Sequence, residues 1–299
     1  MEYALGLIQA AQTALHTTLH QKTETEFAGP CPKCGGTDRF IVFLDGKPRY
    51  WCRGCKYSGF LDALLSLTEE DKAKFNEDSR LLTIERAKLQ EAALVAMSGC
   101  TDHLTYYAEL LKRPDKIAYW TSEGISMQSI HQYKLGWCSR CVTDLEERAS
   151  FTIPVFRDNK LIDIQHRLEG AQAGDKYRPH RKNLPKKPLY NSDLAQSVST
   201  GVVVEGAKKA IVIGQLGFNT VAIFGKESFD ASTFETIRHW DPLYIALDPD
   251  AMSSSVMIAK LLGPHSRVVK TVLKIDDFVA KHGAGKHDIL TLLKYSRRI

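Results

Sequence analysis

Val202-Val203-Val204-Glu205-Gly206 and, about forty residues later, Tyr244-Ile245-Ala246-Leu247-Asp248-Pro249-Asp250 are two apolar runs that each break off at a carboxylate. The pattern recurs around 221–224 and 268–273, with helix-length stretches around 207–216, 231–239 and 251–262 between the runs. This alternation predicts a mainly parallel sheet with crossover helices. Open sheets of that kind bind ligands beyond the carboxyl ends of their strands, and there the pattern places Glu205, Asp248 and Asp250. Residues two apart share a strand face, so Asp248 and Asp250 point roughly one way. Hard carboxylate oxygens suit Mg²⁺ or Mn²⁺, which complete their shell with water and substrate phosphate. An Asp-x-Asp alone is more often a surface loop, and the order of the two runs gives this one its weight. Asp276 and Asp277 follow the run ending at Leu273, where they either add to the charge or cap a final helix at Phe278.

Near the start of the chain, Cys31-Pro-Lys-Cys34 and Cys52-Arg-Gly-Cys55 are spaced as the two knuckles of a zinc ribbon. Four thiolates close a tetrahedron around Zn²⁺ and leave no place for substrate, so the metal is structural. The 17 residues between the knuckles are enough for one hairpin. Residues 39–43 read as its outgoing strand, Asp45-Gly46 as the turn, and residues 49–51 as the strand that delivers Cys52. Arg39, Lys47, Arg49, Trp51, Arg53, Lys56 and Tyr57 interleave cations with rings, a surface able to neutralise phosphates while bases stack. The competing reading makes Trp51 and Tyr57 a mini-core and the charges mere solubility. A third pair, Cys138 and Cys141, has only Cys100 and scattered histidines as partners and reads as reduced core or surface cysteine.

Composition fits a globular protein of about two domains and a small metal-stabilised module: 299 residues, 43% hydrophobic, 25% charged, net charge +5. The seven cysteines, four of them in the first two CxxC pairs, favour metal in a reducing compartment over a disulfide framework. No apolar run approaches the ~18 residues of a membrane span, and no secretory signal is visible, so the expected location is cytoplasmic. The chain divides into a helix over 1–26, the ribbon over 27–62, a charged helical spacer over 63–96, a mixed block over 97–200 and the β/α block over 201–299. Both helical stretches outside the domains read as solvated, bridging elements. The mixed block contains strands at 151–156 and 161–164 and ends in a basic loop with Lys176, Arg178, Arg181, Lys182, Lys186 and Lys187.

Taken together, the motifs carry a resemblance. Residues 31–40 and 50–55 resemble the zinc-binding ribbon of bacteriophage and plasmid DNA primases. Residues 124–136 and 151–168, Lys176-Tyr177 and Lys187-Pro-Leu-Tyr190 resemble the basic subdomain of the DnaG-type primase core. Residues 202–218 and 244–263 resemble its Toprim half. The resemblance implies a multidomain α/β protein: a small β zinc ribbon, a mixed α+β basic subdomain, and a Rossmann-like Toprim domain with a mainly parallel sheet. It implies metal and catalytic roles for Glu205, Asp248 and Asp250, and contacts to template or nucleotide phosphates from Arg167, Lys176 and Lys187. Where many members of the family carry an acid, four residues after the motif glutamate, this chain has Lys209. Either Asp276 or Asp277 compensates, or catalysis is weakened, or Lys208 and Lys209 reach a phosphate directly.

The implied activity is synthesis of short RNA primers from ribonucleoside triphosphates on single-stranded DNA. A non-polymerising single-strand-binding accessory is the alternative that Lys209 suggests. A Toprim nuclease or topoisomerase shares the acidic site, but a topoisomerase has little room for its tyrosine domain. No GxxxxGK[ST] loop occurs, so a separate replicative helicase is the expected partner.

Overall fold

The structure, a computed structural model, describes residues 2–23, 25–44, 47–141, 147–171, 177–185, 189–225, 229 and 231–298. It divides into two compact units, residues 1–91 and 92–299. The predicted turn at Asp45-Gly46 lies outside the described residues, as do Lys176, Lys186 and Lys187 of the basic loop.

In the first unit α1 (Glu2–Leu15) precedes β1 (His20–Gln21), β2 (Glu26–Cys31), β3 (Gly35–Phe43), β4 (Arg49–Cys52), β5 (Ser58–Phe60) and α2 (Leu61–Leu65). The strands form one antiparallel sheet in sequence order. Phe40 and Val42 on β3 bury on the same face as Tyr50 and Cys52 on β4. A sheet this small cannot cover that face itself, and α1 supplies the cover. Leu7, Ile8, Ala11 and Leu15 join Leu19, Phe27, Phe40 and Val42 in one apolar cluster. The N-terminal helix is therefore a layer of the ribbon module, and its loose apolar stripe is the buried face rather than a bridge in solvent.

The long α3 (Glu69–Ser98) covers most of the stretch expected as a charged spacer. Thr68 and Asp71 close its N-terminus reciprocally: Asp71 N–H donates to Thr68 Oγ1 over 3.2 Å and Thr68 N–H to Asp71 Oδ2 over 3.1 Å. Pairs such as Lys74–Glu70 at i,i+4 spacing line its exposed surface.

The second unit opens with α4 (Asp102–Leu111), α5 (Pro114–Ser122) and α6 (Met127–Tyr133). An antiparallel sheet follows, with β6 (Gly136–Cys138), β7 (Ser150–Arg157), β8 (Lys160–Leu168) and β9 (Tyr177–Pro179) in sequence order. The β/α block contains β10 (Gly201–Glu205), α7 (Ala207–Gly214), β11 (Thr220–Ile223), β12 (Leu243–Ala246), α8 (Met252–Leu262), β13 (Ser266–Val268), α9 (Ile275–His282), α10 (Lys286–Lys294) and β14 (Arg297–Arg298). Its strands lie in the order β11-β10-β12-β13-β14, parallel except for β14. Both faces of the sheet are packed. Val202 and Val204 look toward Trp120, Phe151 and Ile211, whereas Val203 and Ile245 look toward Phe234, Trp240 and Ile258. The blocks at 97–200 and 201–299 thus share one core. This explains why β10, β11 and β12 read as unbroken apolar runs.

Two elements differ from the sequence pattern. The crossover around 231–239 is a 3₁₀ helix over Ala231–Ile237. The run at 268–273 is a strand only as far as Val268, because after Val269 N–H donates to Ile245 the chain leaves the sheet, and Val272 ends up 89% exposed.

Candidate active site and metal centre

Cys31 closes β2 and Cys52 closes β4, while Cys34 and Cys55 lie in the turns that follow. Cys31 Sγ lies 3.7 Å from Cys55 Sγ, and Cys34 Sγ 3.6 Å from Cys52 Sγ. All four sulfurs fall within 4.8 Å of one another. A tetrahedron with Zn–S bonds of ~2.3 Å has edges of ~3.8 Å, so this donor set fits zinc. Burial opposes the Cys52 thiolate, yet the backbone N–H groups of Cys55 and Gly54 outweigh it and lower its pKa to about 6. Cys34 is pushed up to about 12 by desolvation and by the neighbouring thiols.

Arg39, expected at the nucleic-acid surface, is exposed and folds over the knuckles. It hydrogen-bonds Cys34 and lies so close to Gly36 and Gly54 that a Cβ at either would press on its side chain. Its charge offsets thiolate charge there. Arg49 and Trp51 stay on the outer face of the hairpin, opposite Phe43 and Ile41 respectively. The Arg49 guanidinium sits 4.6 Å over the Phe43 ring, and Lys56 Nζ 4.9 Å over Trp51. Tyr57 divides its roles, stacking on Phe40 at 6.2 Å and tilting against Tyr50 at 5.0 Å, while Lys33 Nζ sits 4.0 Å over its ring.

In the second unit the sheet register puts Glu205, the last residue of β10, next to the end of β12, and the chain turns at Asp248 into a 3₁₀ turn over Pro249–Ala251. Asp250 is exposed in that turn; Asp248 is 8% exposed. Lys209 of α7 brings Nζ to 3.1 Å from Asp248 Oδ1, and Lys274 brings Nζ to 3.4 Å from Oδ2. The first approach is not aligned as a hydrogen bond, so Asp248 Oδ1 is buried without one. Asp276, in the first turn of α9, is also buried; its Oδ2 pairs with Lys208 Nζ at 2.7 Å and its Oδ1 has no hydrogen bond. Lys208 additionally pairs with Glu123. Asp277 faces along α9 and pairs with Lys281 at 3.1 Å.

The edge is thus a ladder of alternating charge. Burial works against ionised Asp276, but the ammonium groups of Lys209 and Lys208 outweigh it and hold the carboxyl below its usual range. Burial likewise works against charged Lys208, but Asp276 and Glu123 raise its pKa. Asp248 raises that of Lys274. Glu205, Asp248 and Asp250 do not bring three ligand atoms within 4.8 Å of one another; among the described residues only the cysteine tetrad and a Cys100–Asp102–His180 group do. Asp248 Oδ1 and Asp276 Oδ1, buried without a hydrogen bond, nonetheless suit a hard divalent cation, the first in competition with the Lys209 ammonium. Lys209 was legible as the missing acid, whereas Glu123 and Lys274 carry no motif and meet the site only through tertiary packing.

Of the remaining basic positions, Arg167 on β8 lies 5.1 Å over the Tyr119 ring. It lines a cavity of about 330 Å³ with Lys116, Phe151 and Glu169. Arg178 is on the edge strand β9, opposite His166, and Arg181 and Lys182 are exposed just beyond it.

A cysteine-knuckled antiparallel sheet and a mainly parallel sheet with carboxylates at its strand ends, fused through helices to an antiparallel basic sheet, define the class. No family model matches the sequence, and no curated protein matches it. Solved structures do. The zinc-binding and RNA polymerase domains of the Aquifex aeolicus primase share 17% identity at a TM-score of 0.54, over 99% of this chain and 86% of that one. The RNA polymerase domain of Mycobacterium tuberculosis primase DnaG, bound to a double-stranded DNA oligomer with a 6-nucleotide overhang, shares 15% identity at a TM-score of 0.53, over 69% of this chain and 81% of that one. The same domain without DNA gives 0.51 at 16% identity, over 71% and 84%. The chain therefore has the fold of the zinc-binding and RNA polymerase domains of primases. Among the described residues, no helix is long and apolar enough to cross a membrane.

Proposed function

We propose that the chain is a DNA primase that copies single-stranded DNA into short RNA primers, of the kind found in phages and plasmids. The observation that carries this reading is the pair of buried carboxylates, Asp248 and Asp276, each with an oxygen left without a hydrogen bond at the carboxyl edge of the parallel sheet. Glu205, Asp248 and Asp250, with Asp276 beside them, would hold Mg²⁺ or Mn²⁺. The cation supplies neutralisation of the triphosphate and activation of the attacking 3′-hydroxyl. Lys209 and Lys274, which pair with Asp248, would take the phosphate charge of an incoming nucleotide. Lys208, tied to Asp276 and Glu123, fixes α7 against α9 and α5. Arg167, Arg178, Arg181 and Lys182 belong to the face of the basic sheet and its edge, suited to the template backbone; Lys176 and Lys187 extend that assignment by sequence. Trp51 and Arg49 offer the ribbon a stacking surface for template bases. Unwinding falls to a separate helicase.

One observation favours a second reading, an accessory that binds single strands without polymerising: Asp248 is already neutralised from two sides by lysines. The test is synthesis from labelled ribonucleotides on varied single-stranded templates with Mg²⁺, with and without the helicase. Template-dependent oligomers that vanish in an Asp248→Ala plus Asp250→Ala variant support the primase. Single-strand binding with no product on any template, in wild type and variant alike, supports the accessory.

A further inference from the structure

Away from the sheet edge, the second unit contains a group of side chains that the primase reading does not use. Cys100 lies just before α4, Asp102 is the first residue of α4, and His180 follows β9. His180 Nε2 stands 3.1 Å from Asp102 Oδ2 and 3.7 Å from Cys100 Sγ. Bonds to zinc of roughly 2.0–2.1 Å for nitrogen and oxygen and ~2.3 Å for sulfur put tetrahedral N and O about 3.3 Å apart, and N and S about 3.6 Å apart. The observed separations match both edges.

From this geometry we infer a second zinc site, with Cys100 Sγ, Asp102 Oδ2 and His180 Nε2 as ligands and the fourth position open to water. The surroundings are those of a built site. The His180 side chain is 4% exposed while that of Asp102 is 52% exposed, so the imidazole is buried and the carboxylate gives the ion a way in. The other ring nitrogen, Nδ1, lies 3.0 Å from His166 Nε2, and His166 Nδ1 lies 2.8 Å from Ser150 Oγ. A metal-bound imidazole is held in this way, donating its second N–H to a fixed acceptor.

With zinc bound, His180 Nδ1–H donates to His166 Nε2 and His166 Nδ1–H donates to Ser150 Oγ. Without it the chain runs the other way, from Ser150 through both rings to Asp102. Reversing the chain moves each ring's N–H without adding or removing a proton, and binding releases the proton of the Cys100 thiol. Tyr106 packs edge-on against both rings, 5.6 Å from His166 and 6.1 Å from His180. The ion would pin the end of β9 to the start of α4, anchoring the strand that carries Arg178 and leads into Arg181 and Lys182.

This inference rests on no assignment of activity, and its test is metal content. Full-length protein equilibrated with excess zinc and then dialysed should hold two zinc ions per chain. The conservative variants Asp102→Asn and Cys100→Ser should hold one, with the ribbon cysteines still protected from alkylation. Substituting Co²⁺ should give a second set of tetrahedral d–d bands, weakened at least tenfold in apparent affinity by Asp102→Asn. Asp102 is half exposed, so that variant keeps the reading testable if Cys100→Ser misfolds. One zinc per wild-type chain overturns the assignment. So do two that survive both substitutions, or a second ion lost only on replacing Cys138 or Cys141.

Discussion

Asp248 illustrates how a single buried carboxylate takes its properties from neighbours far away in sequence. Its partner Lys209 is nearly as buried, with 12% of its side chain exposed against 9% for Asp248. Asp248→Asn should therefore lower the stability of the second unit by about 3 kcal/mol, the scale of a broken buried pair. It should also cut primer synthesis by a hundredfold or more; urea titration and the template assay measure the two separately. Lys274, half exposed, adds little to the stability part. Asp276 titrates below its unfolded range, so its pairing stabilises the fold at neutral pH and is lost as pH falls through the depressed folded pKa. The urea midpoint of wild type should drop more steeply between neutral pH and about pH 3 than that of Asp276→Asn. The acids of this site were legible because each ends a strand or opens a helix. Their lysine and glutamate partners were not, since a cation on α7 and one before α9 become neighbours only once both helices dock on the sheet.

At the scale of elements, periodicity located β3, β4, β7, β8, β10, β11 and β12, because burial on one or both faces leaves a readable alternation or run. It misplaced the end of β13, where apolar residues continue past the last strand residue into an exposed segment. It also gave α1 to solvent. A short helix with a narrow apolar stripe looks alike whether it bridges domains or lids a small sheet, and only the unmet need of the ribbon for a second layer decides. The joint between that lid and the sheet is tight at Gly29 on β2, where a Cβ would run into the carbonyl oxygen of Thr18. Gly29→Ala should destabilise the ribbon by about 1–3 kcal/mol through overpacking. Chemical denaturation followed by Trp51 fluorescence, with the three other tryptophans replaced by phenylalanine, reads that loss directly.

For the whole molecule, each unit keeps its own core, one resting on a metal knot and the other on a sheet packed on both faces. Removing zinc with a strong chelator should unfold the first unit, since structural zinc contributes folding energy on the order of 10 kcal/mol. The near-ultraviolet circular dichroism of the core tryptophans Trp120 and Trp240 should persist. The interleaving of lysines with carboxylates along the sheet edge has a consequence for the order of assembly. A cleft lined by acids alone repels itself until a cation arrives, whereas here the two buried carboxylates, Asp248 and Asp276, already face lysines when it is empty. Magnesium added by itself should leave the melting midpoint of the second unit unchanged, and magnesium with a ribonucleoside triphosphate should raise it: the ion comes in as the escort of its nucleotide, not ahead of it.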